Sequence, residues 1–468
     1  MLPIVALSVS GIALLFLGFQ KSRVLLIPAA LLLLIIAVAA NFYDWNKTYL
    51  YFNGMLRTDN LSMVFTAIVL GSAFLVIALS SQFIEDEEAQ PAEYYGIIMF
   101  SLVGAVMMIG FENLIMLFLG VEILSIAMYI LTGSEKRNLR SNEAALKYFL
   151  MGAFTTGIML FGMAMIYGAT GSFTLAGIGA YTANPQVGLS LLLYVGILML
   201  LIGLLFKVSA APFHFWTPDV YDGAPTIFTA FMSTVVKTAG FAALFKLLSV
   251  SFNGVYNFWW VMLAVIAAIT LVIGNITAVY QNSFKRMMAY SSISHAGYLL
   301  IGLAALSAQS EQAIVFYSLA YSVATISAFG VLLLVAQQRP AQTLTSGGVS
   351  GNNFDDFNGL ARQNPLLGLA MTVSMLSLAG IPLTAGFWGK FYIFSTAVER
   401  GQIWLLVVAV LMSAVGIYYY FRVIIAMYFR NGATEPIRVS PVYQYVFVAA
   451  IAITIGLGVA PGLLQGLF

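Results

Sequence analysis

Cysteine is absent from this 468-residue sequence, and histidine occurs only twice. Without cysteine the chain cannot form a disulfide, a thiolate metal site or a cysteine-ligated iron–sulfur cluster. Two histidines also argue against a bis-histidine haem and against a metal site built from several histidines. We therefore expect no cofactor and no metal on this chain.

Charged side chains are scarce as well. They make up 8% of the residues, whereas soluble domains carry about a quarter. Hydrophobic residues account for 61%, and the mean hydropathy is +0.96. This balance excludes a soluble enzyme, a nucleic-acid binder and a disordered scaffold, and the sequence has no glycine-rich phosphate loop in a strand-to-helix context. What remains is a polytopic membrane protein.

Long apolar stretches predict the fold class. Each is continuous over about 20 residues, the length that crosses a bilayer as a helix, whereas a membrane barrel would alternate over segments of about ten. We therefore predict an all-α polytopic membrane protein with about 14 transmembrane helices. The stretches lie at residues 2–18, 24–43, 60–83, 92–110, 112–133, 141–169, 188–209, 224–249, 256–280, 285–306, 311–338, 364–396, 401–429 and 441–463.

The basic residues of the connecting loops predict the orientation, because cytoplasmic loops are enriched in Lys and Arg. Loops after odd-numbered helices hold Lys21, Arg23, Lys136, Arg137, Arg140, Lys285, Arg286, Arg339, Arg362, Arg430 and Arg438. Loops after even-numbered helices hold only Lys47, Arg57 and Arg400. No cleavable signal peptide is evident. We expect a multi-pass protein of the cell inner membrane with both termini on the periplasmic side.

Helix breakers interrupt the seventh and twelfth predicted helices. Pro212 lies in the first break and Pro382 in the second, and in lipid such breaks are tolerated only inside protein or beside a wet cavity. Pro382 follows Pro212 by 170 positions, and His295 follows Glu122 by 173. This spacing indicates two repeats of five helices each. Because five is an odd number, the second repeat would have the inverted orientation in the membrane. We predict a single membrane domain over residues 1–468. Helices 1–3 occupy residues 1–91, the two repeats occupy 92–250 and 256–430, and a last helix lies in 441–468.

Several ionisable residues lie inside the predicted spans, where each costs about 2.5–3.5 kcal/mol. Glu122 lies well inside the fifth span. It can be a titrating group of a proton path, and a structural ion pair or a neutral carboxyl is the alternative. A nearby ammonium would control its charge. We favour the proton path, because ionisable groups inside membranes are rare and functional.

The buried lysines predict proton transfer. Lys207 and Lys237 lie deep in apolar sequence, where a lysine can release and rebind a proton. Lys390 follows a broken segment with nearby glycines, which leaves room for water. Lys246 lies near the end of its span, and for it we favour an ammonium that reaches the membrane interface. For Lys147, near a helix start, proton transfer and an interfacial position are equally open.

Two histidines and two aspartates are further polar residues with a possible role or a structural one. Imidazole titrates near neutral pH and can relay protons. His214 lies beside the first break, which favours a role in proton transfer, whereas for His295 a relay and a hydrogen-bonded core residue are equally open. Asp219 and Asp222 stand in Trp-Thr-Pro-Asp-Val-Tyr-Asp-Gly-Ala-Pro, which is ordinary turn chemistry, so we expect them to shape a loop.

Four motifs carry a resemblance to a known family. They are the stretch from Phe206 to Pro225, Glu143-Ala-Ala-Leu-Lys147-Tyr, the stretch from Arg286 to Tyr298, and Leu378-Ala-Gly-Ile-Pro382-Leu-Thr-Ala-Gly386-Phe-Trp-Gly-Lys390-Phe. The sequence resembles the antiporter-like membrane subunits of proton-pumping NADH:quinone oxidoreductase, respiratory complex I, and among them most closely subunit N. Subunits of Mrp-type sodium/proton antiporters share this ancestry and are the alternative.

The resemblance implies roles and partners. Glu122 and Lys207 match the Glu–Lys pair of helices five and seven, Lys237 the central lysine, and Lys390 the lysine of broken helix twelve. His214 and Lys147 match further polar positions of the central axis. A complex I subunit would translocate protons while NADH-to-quinone electron transfer proceeds in partners that carry FMN and Fe–S clusters. M-, K- and A/J/H-like membrane subunits would be its neighbours. A passive scaffold is a further alternative, against which the buried lysines argue.

Overall fold

The computed structural model describes residues 1–20, 24–81, 91–184, 188, 190–338, 352–432 and 437–464. These residues are mostly helical. They also include a hairpin of two short antiparallel strands, β1 (Tyr49–Tyr51) and β2 (Leu56–Thr58). The prediction of an all-α polytopic membrane protein is confirmed.

Nine helices of the described chain are long and apolar enough to cross a membrane. Four shorter apolar helices accompany them. The total of about 14 transmembrane helices stays a prediction, as do the repeat boundaries and the orientation. Of the basic residues that indicated the orientation, Lys21, Arg23 and Arg339 lie outside the described residues.

The chain forms two compact units. The first comprises Met1–Trp216 and Val235–Leu263. Its helices are α1 (Leu2–Leu17), α2 (Leu26–Phe42), α3 (Asn60–Ala78), α4 (Pro91–Gly110), α5 (Leu114–Thr132), α6 (Leu139–Thr170), α7 (Leu175–Ala183), α8 (Leu191–Lys207) and α11 (Lys237–Lys246). Two of its helices precede the hairpin and the others follow it, and α8 ends at the first predicted break.

The second unit comprises Thr217–Thr234 and Ala264–Gly466. It contains most of α9 (Trp216–Gly223) and the later part of α12 (Tyr256–Val279). Its other helices are α10 (Thr226–Phe231), α13 (Phe284–Ala305), α14 (Ser310–Gln338), α15 (Leu360–Gln363), α16 (Pro365–Ala379), α17 (Ala385–Glu399), α18 (Ile403–Phe429) and α19 (Pro441–Val459).

Both predicted helix breaks are present. In the first unit, α8 ends at Lys207, and residues 208–215 form a non-helical segment before α9. In the second unit, α16 ends at Ala379, the following Gly380 has a φ of +82° that stops the helix, and α17 begins at Ala385. A glycine in the left-handed conformation is a common helix terminator. Each break therefore leaves the carbonyl end of one half-helix inside the protein.

Candidate functional site

Lys207 is the last residue of α8 and is only 2% exposed. Its Nζ lies 5.4 Å from the ring centroids of both Tyr129 and Tyr148. In the described part of the chain this Nζ has no hydrogen-bond partner. The aromatic faces and the carbonyl end of α8 attract its positive charge. Within the described residues the ammonium is thus held by diffuse electrostatics and not by a direct hydrogen bond.

Glu122, on α5, is the acidic counterpart that the sequence predicted. It interacts electrostatically with Lys207, so the structure brings the two members of the pair together. Its Oε1 is buried and, among the described residues, has no hydrogen-bond partner. A buried acceptor without a protein partner requires a water or a mobile proton to satisfy it. Each member of the pair thus has a buried polar atom without a hydrogen-bond partner among the described residues.

Aromatic packing positions the rings around Lys207. Tyr148 stacks on Trp216, with 4.5 Å between the ring centroids, and Tyr129 meets Tyr148 edge-on at 4.8 Å. Trp216 Nε1 donates a hydrogen bond to the carbonyl oxygen of Phe206, 3.0 Å away. This bond ties the segment after the break to the last turn of α8. The lysine therefore lies in a rigid aromatic enclosure.

Gly152 of α6 leaves the space that Tyr129 occupies. A Cβ at this position would lie 2.0 Å from the Tyr129 hydroxyl oxygen and 2.7 Å from its Cζ. We expect Gly152→Ala to displace the ring from Lys207 and to lower the stability of the protein by about 1–3 kcal/mol. Thermal unfolding of the purified complex measures this loss. Gly157→Ala is the matched control on α6, because no atom lies within 4 Å of its added Cβ; equal effects at both sites would contradict the explanation.

Two further predicted residues lie buried in the same unit. Lys237 is 3% exposed and begins α11, directly after a π-helical turn at Met232–Val236. Such turns occur frequently at functional sites. His214 lies in the broken segment and is 6% exposed, and its Nδ1 has no hydrogen-bond partner within the described ranges. Both side chains are deep enough in the protein to require a functional or hydrogen-bonding explanation.

Lys147 and Lys246 have different surroundings from the other lysines. Lys147 Nζ lies 2.7 Å from Glu143 Oε1, and the two side chains are 37% and 63% exposed. Its neighbour Tyr148 faces Lys207, whereas Lys147 forms a partly solvated pair. Lys246 Nζ lies 3.0 Å from Glu112 Oε1, with 13% of its side chain exposed. Lys246 is therefore paired inside the protein, which the sequence did not predict.

Lys390 of α17 occupies the second break. Its Nζ donates hydrogen bonds to the carbonyl oxygen of Ala379 at 2.8 Å and to Ser413 Oγ at 2.9 Å, and it lies 4.8 Å from the Tyr298 ring centroid. Ala379 is the last residue of α16, so the ammonium binds the negative end of that helix dipole. Gly380 makes this approach possible, because a Cβ there would lie 2.7 Å from Lys390 Cδ.

His295 belongs to the same unit as Lys390 and is 4% exposed. Its Nδ1 lies 2.6 Å from the Tyr317 hydroxyl, and its Nε2 lies 3.0 Å from the Tyr420 hydroxyl. Both ring nitrogens are thus hydrogen-bonded, as a proton relay requires. A small cavity, with room for about one water molecule, is lined in part by His295, Tyr317 and Lys390.

Sequence reasoning named the lysines and Glu122 but missed the aromatic and hydroxyl residues that surround them: Tyr129, Tyr148, Tyr298, Tyr317, Tyr420 and Ser413. Tyrosines are common near the ends of membrane spans as interfacial anchors, so their presence in a span does not mark a buried site. A signal did exist for Tyr148, which directly follows Lys147 in a family motif. The others are distant in sequence from the lysines, and only the tertiary structure brings them close.

Comparison with known proteins supports the resemblance drawn from the motifs. Residues 112–416 match the family model described as NADH:quinone oxidoreductase/Mrp antiporter, transmembrane. A protein of Trichlorobacter lovleyi named NADH-quinone oxidoreductase subunit N is 44% identical, over 93% of this chain and 88% of its own length. The predicted resemblance to subunit N is thereby confirmed.

Solved structures share the fold. A chain of respiratory complex I from Thermus thermophilus, with bound aureothin, is 35% identical, covers 99% of this chain and 98% of its own, and has a TM-score of 0.83. A chain of the Mrp complex from Dietzia sp. covers 100% of this chain and 96% of its own, with the same TM-score of 0.83, but is 19% identical. The Mrp likeness shows a common fold alone.

Proposed function

Because the chain belongs to the NADH:quinone oxidoreductase/Mrp antiporter transmembrane family, we propose that it is the proton-translocating subunit N of respiratory complex I. It is then a subunit of a translocating oxidoreductase, and the chain itself carries out proton movement. The observation that carries the proposal is a buried lysine at the carbonyl end of the first half-helix of each break. Such lysines are costly in a membrane and suit proton transfer.

The Mrp-type sodium/proton antiporter subunit is less favoured. The relative named subunit N is 44% identical over most of both chains, and the complex I chain is 35% identical, against 19% for the Mrp chain. Membership of a multi-subunit membrane complex follows from the proposed identity. M-, K- and A/J/H-like subunits are its proposed membrane neighbours, and FMN and Fe–S clusters belong to other partners. The proposed orientation in the inner membrane places both termini in the periplasm.

Proton transfer starts, in this proposal, at the Glu122–Lys207 pair. A conformational or electrostatic signal from the redox subunits changes the separation of the two groups, and Lys207 then gains or gives up a proton. The aromatic enclosure keeps Lys207 from relaxing into a tight ion pair. Lys237 and, in the second unit, Lys390 are the later proton-transfer groups. His214 and Lys147 are proposed as accessory groups, Lys147 with the weaker support because it is partly exposed.

Two experiments test this function. Affinity purification of the tagged chain, followed by mass spectrometry, should recover flavin and iron–sulfur subunits of an NADH:quinone oxidoreductase. Vesicles that contain the intact complex should acidify on one side when NADH and a quinone are supplied. Recovery of Mrp subunits alone, without redox partners, would select the antiporter alternative.

Replacement of the two lysines of α11 should affect the intact complex differently, one variant losing proton pumping and the other losing stability. We expect Lys237→Ala to reduce proton pumping about tenfold or more, because a proton-transfer group contributes about 10²- to 10⁴-fold. We expect Lys246→Gln to leave pumping nearly unchanged and to lower stability, because it leaves Glu112 without its 3.0 Å partner. Pumping rates and thermal unfolding are measured for both variants. A pumping defect confined to Lys246→Gln would contradict the assignment.

A further inference from the structure

One face of α6 changes from charged to apolar along its length. Arg140, Glu143, Lys147, Leu150 and Phe154 follow each other at steps of three and four residues, so they form one row along the helix. This row faces outward. The side chains of Glu143 and Lys147 are 63% and 37% exposed, and Leu150 and Phe154 are 57% and 73% exposed. The outward row therefore suits surroundings that are polar at one end and apolar at the other.

The charged end of the outward row lies at the level of the membrane surface. The 19 residues of α5 give it a length of about 28 Å, close to the ~30 Å of the hydrocarbon core. Ser141, in the first turn of α6, donates a hydrogen bond of 2.7 Å to the carbonyl oxygen of Thr132, the last residue of α5. Arg140 thus lies among the lipid headgroups, and Phe154 lies about 21 Å further along α6, beside the acyl chains.

The turn between α5 and α6 has a defined shape. Asn138 Oδ1 accepts a hydrogen bond of 3.0 Å from the backbone N–H of Arg140. Asn142 Nδ2 donates one of 2.9 Å to the carbonyl oxygen of Lys136. Arg137 is exposed in this turn, as is Arg140. Two arginines are therefore held close together where the outward row begins.

The charge of this region favours an anion. Residues 135–147 contain four cations and two carboxylates, which gives a net charge of +2. Glu143 Oε1 lies 2.7 Å from Lys147 Nζ, and Glu135 Oε2 accepts a hydrogen bond of the same length from Asn138 Nδ2. Both carboxylates thus have a partner within the region. The surplus of cations attracts an anionic group, and arginine suits a phosphate because it can bind two of its oxygens at once.

Further along, the outward row contains an open notch. Gly157 continues the row three residues after Phe154, and no atom of the described residues lies within 4 Å of a Cβ placed there. Phe161, which is 55% exposed, follows four residues later. Two exposed rings therefore border a position that has no side chain. An extended hydrocarbon chain along the row can fill the notch and pack against both rings.

We propose that the outward row of α6 binds an anionic phospholipid. The phosphate lies at the two arginines of the turn, and an acyl chain runs along Leu150 and Phe154 to the notch at Gly157. A free phosphate ion would use the charged end alone, and a partner's transmembrane helix would bring apolar side chains against an exposed ion pair. A phospholipid matches both ends of the row. The site involves no proton transfer and is therefore independent of the function proposed above.

Site-specific photo-crosslinking in the intact complex tests this lipid site. The photoreactive residue p-benzoyl-phenylalanine replaces Phe154, the complex is illuminated in its native membrane, and mass spectrometry of the subunit identifies what is attached. We expect phospholipid adducts that are enriched in phosphatidylglycerol and cardiolipin over the lipid extract of the same membrane. The composition of that extract is the reference.

Removal of the two arginines separates specific binding from general contact with lipid. We expect Arg137→Gln with Arg140→Gln to lower the enrichment at least about fivefold, because one basic residue at a membrane surface contributes about that factor. Arg137→Lys with Arg140→Lys keeps both charges and should keep most of the enrichment. Lys47→Gln removes an exposed charge between α2 and β1 and is the matched control, which should leave the enrichment unchanged.

Three outcomes would overturn the lipid site. They are the absence of lipid adducts, adducts with the composition of the extract, and an enrichment that survives the removal of both arginines. Attachment of the probe to another protein subunit would show that a transmembrane partner covers the outward row, and it would overturn the site as well. The adducts of the complex with both arginines present decide the question even if the arginine variants fail to assemble.

Discussion

Replacement of Lys207 by alanine is expected to lower proton-pumping quinone reduction at least about tenfold in the assembled complex. The ammonium is 2% exposed and, in the part of the chain that the structure describes, has no hydrogen-bond partner. Its removal therefore breaks no direct polar contact, and the aromatic rings of Tyr129 and Tyr148 still pack against Trp216. The loss should consequently appear in the rate and not in assembly.

Lys207→Arg should also impair pumping, because arginine keeps its proton under all physiological conditions. The measurement is NADH-driven acidification in vesicles, together with the amount of assembled complex. Lys136→Ala is the control, since this lysine lies exposed in the loop before α6. Pumping by Lys207→Ala at the rate of the control would refute a role for this lysine in proton transfer.

The double variant Glu122→Gln with Lys207→Ala should pump little worse than the more severe single variant. Glu122 and Lys207 interact electrostatically, and each carries a buried atom without a hydrogen-bond partner among the described residues. The proposed switch depends on a change in the distance between Glu122 and Lys207, so removal of either residue abolishes it. Removal of the second residue should then have little further effect on pumping. Groups that act as a unit are strongly non-additive.

Pumping rates of both single variants and of the double variant decide this prediction. If the two residues acted independently, the fold reduction in pumping rate of the double variant would equal the product of the two single-variant reductions. Such a product would leave both residues on a proton path but would reject the paired switch. Gln at position 122 keeps the shape of the side chain, which separates the loss of charge from a packing defect.

The helical class and the two helix breaks could be predicted because they depend on local sequence. A continuous apolar stretch has one stable structure in a bilayer, and Pro212 or Gly380 interrupts a helix whatever its neighbours are. The buried lysines could be predicted for a related reason: a charge inside an apolar stretch stands out in the sequence itself.

The surroundings of those charges could not be predicted in the same way. Ser413 follows Lys390 by 23 positions, and the Tyr420 that bonds His295 follows it by 125. Nothing in the local pattern of either residue marks it as a partner.

The two lysines reach the ends of their half-helices in different ways. Lys207 is part of α8, so its ammonium and the carbonyl end of that helix belong to one rigid body. Lys390 belongs to α17 and binds Ala379 at the end of α16, across the break. Any sliding or tilting of α17 against α16 therefore stretches the 2.8 Å bond from Lys390 and changes the electrostatic stabilisation of its charge. A shift of α17 would therefore act on the charge of Lys390 directly, whereas at the first break the proposed switch would require motion of Glu122 relative to Lys207.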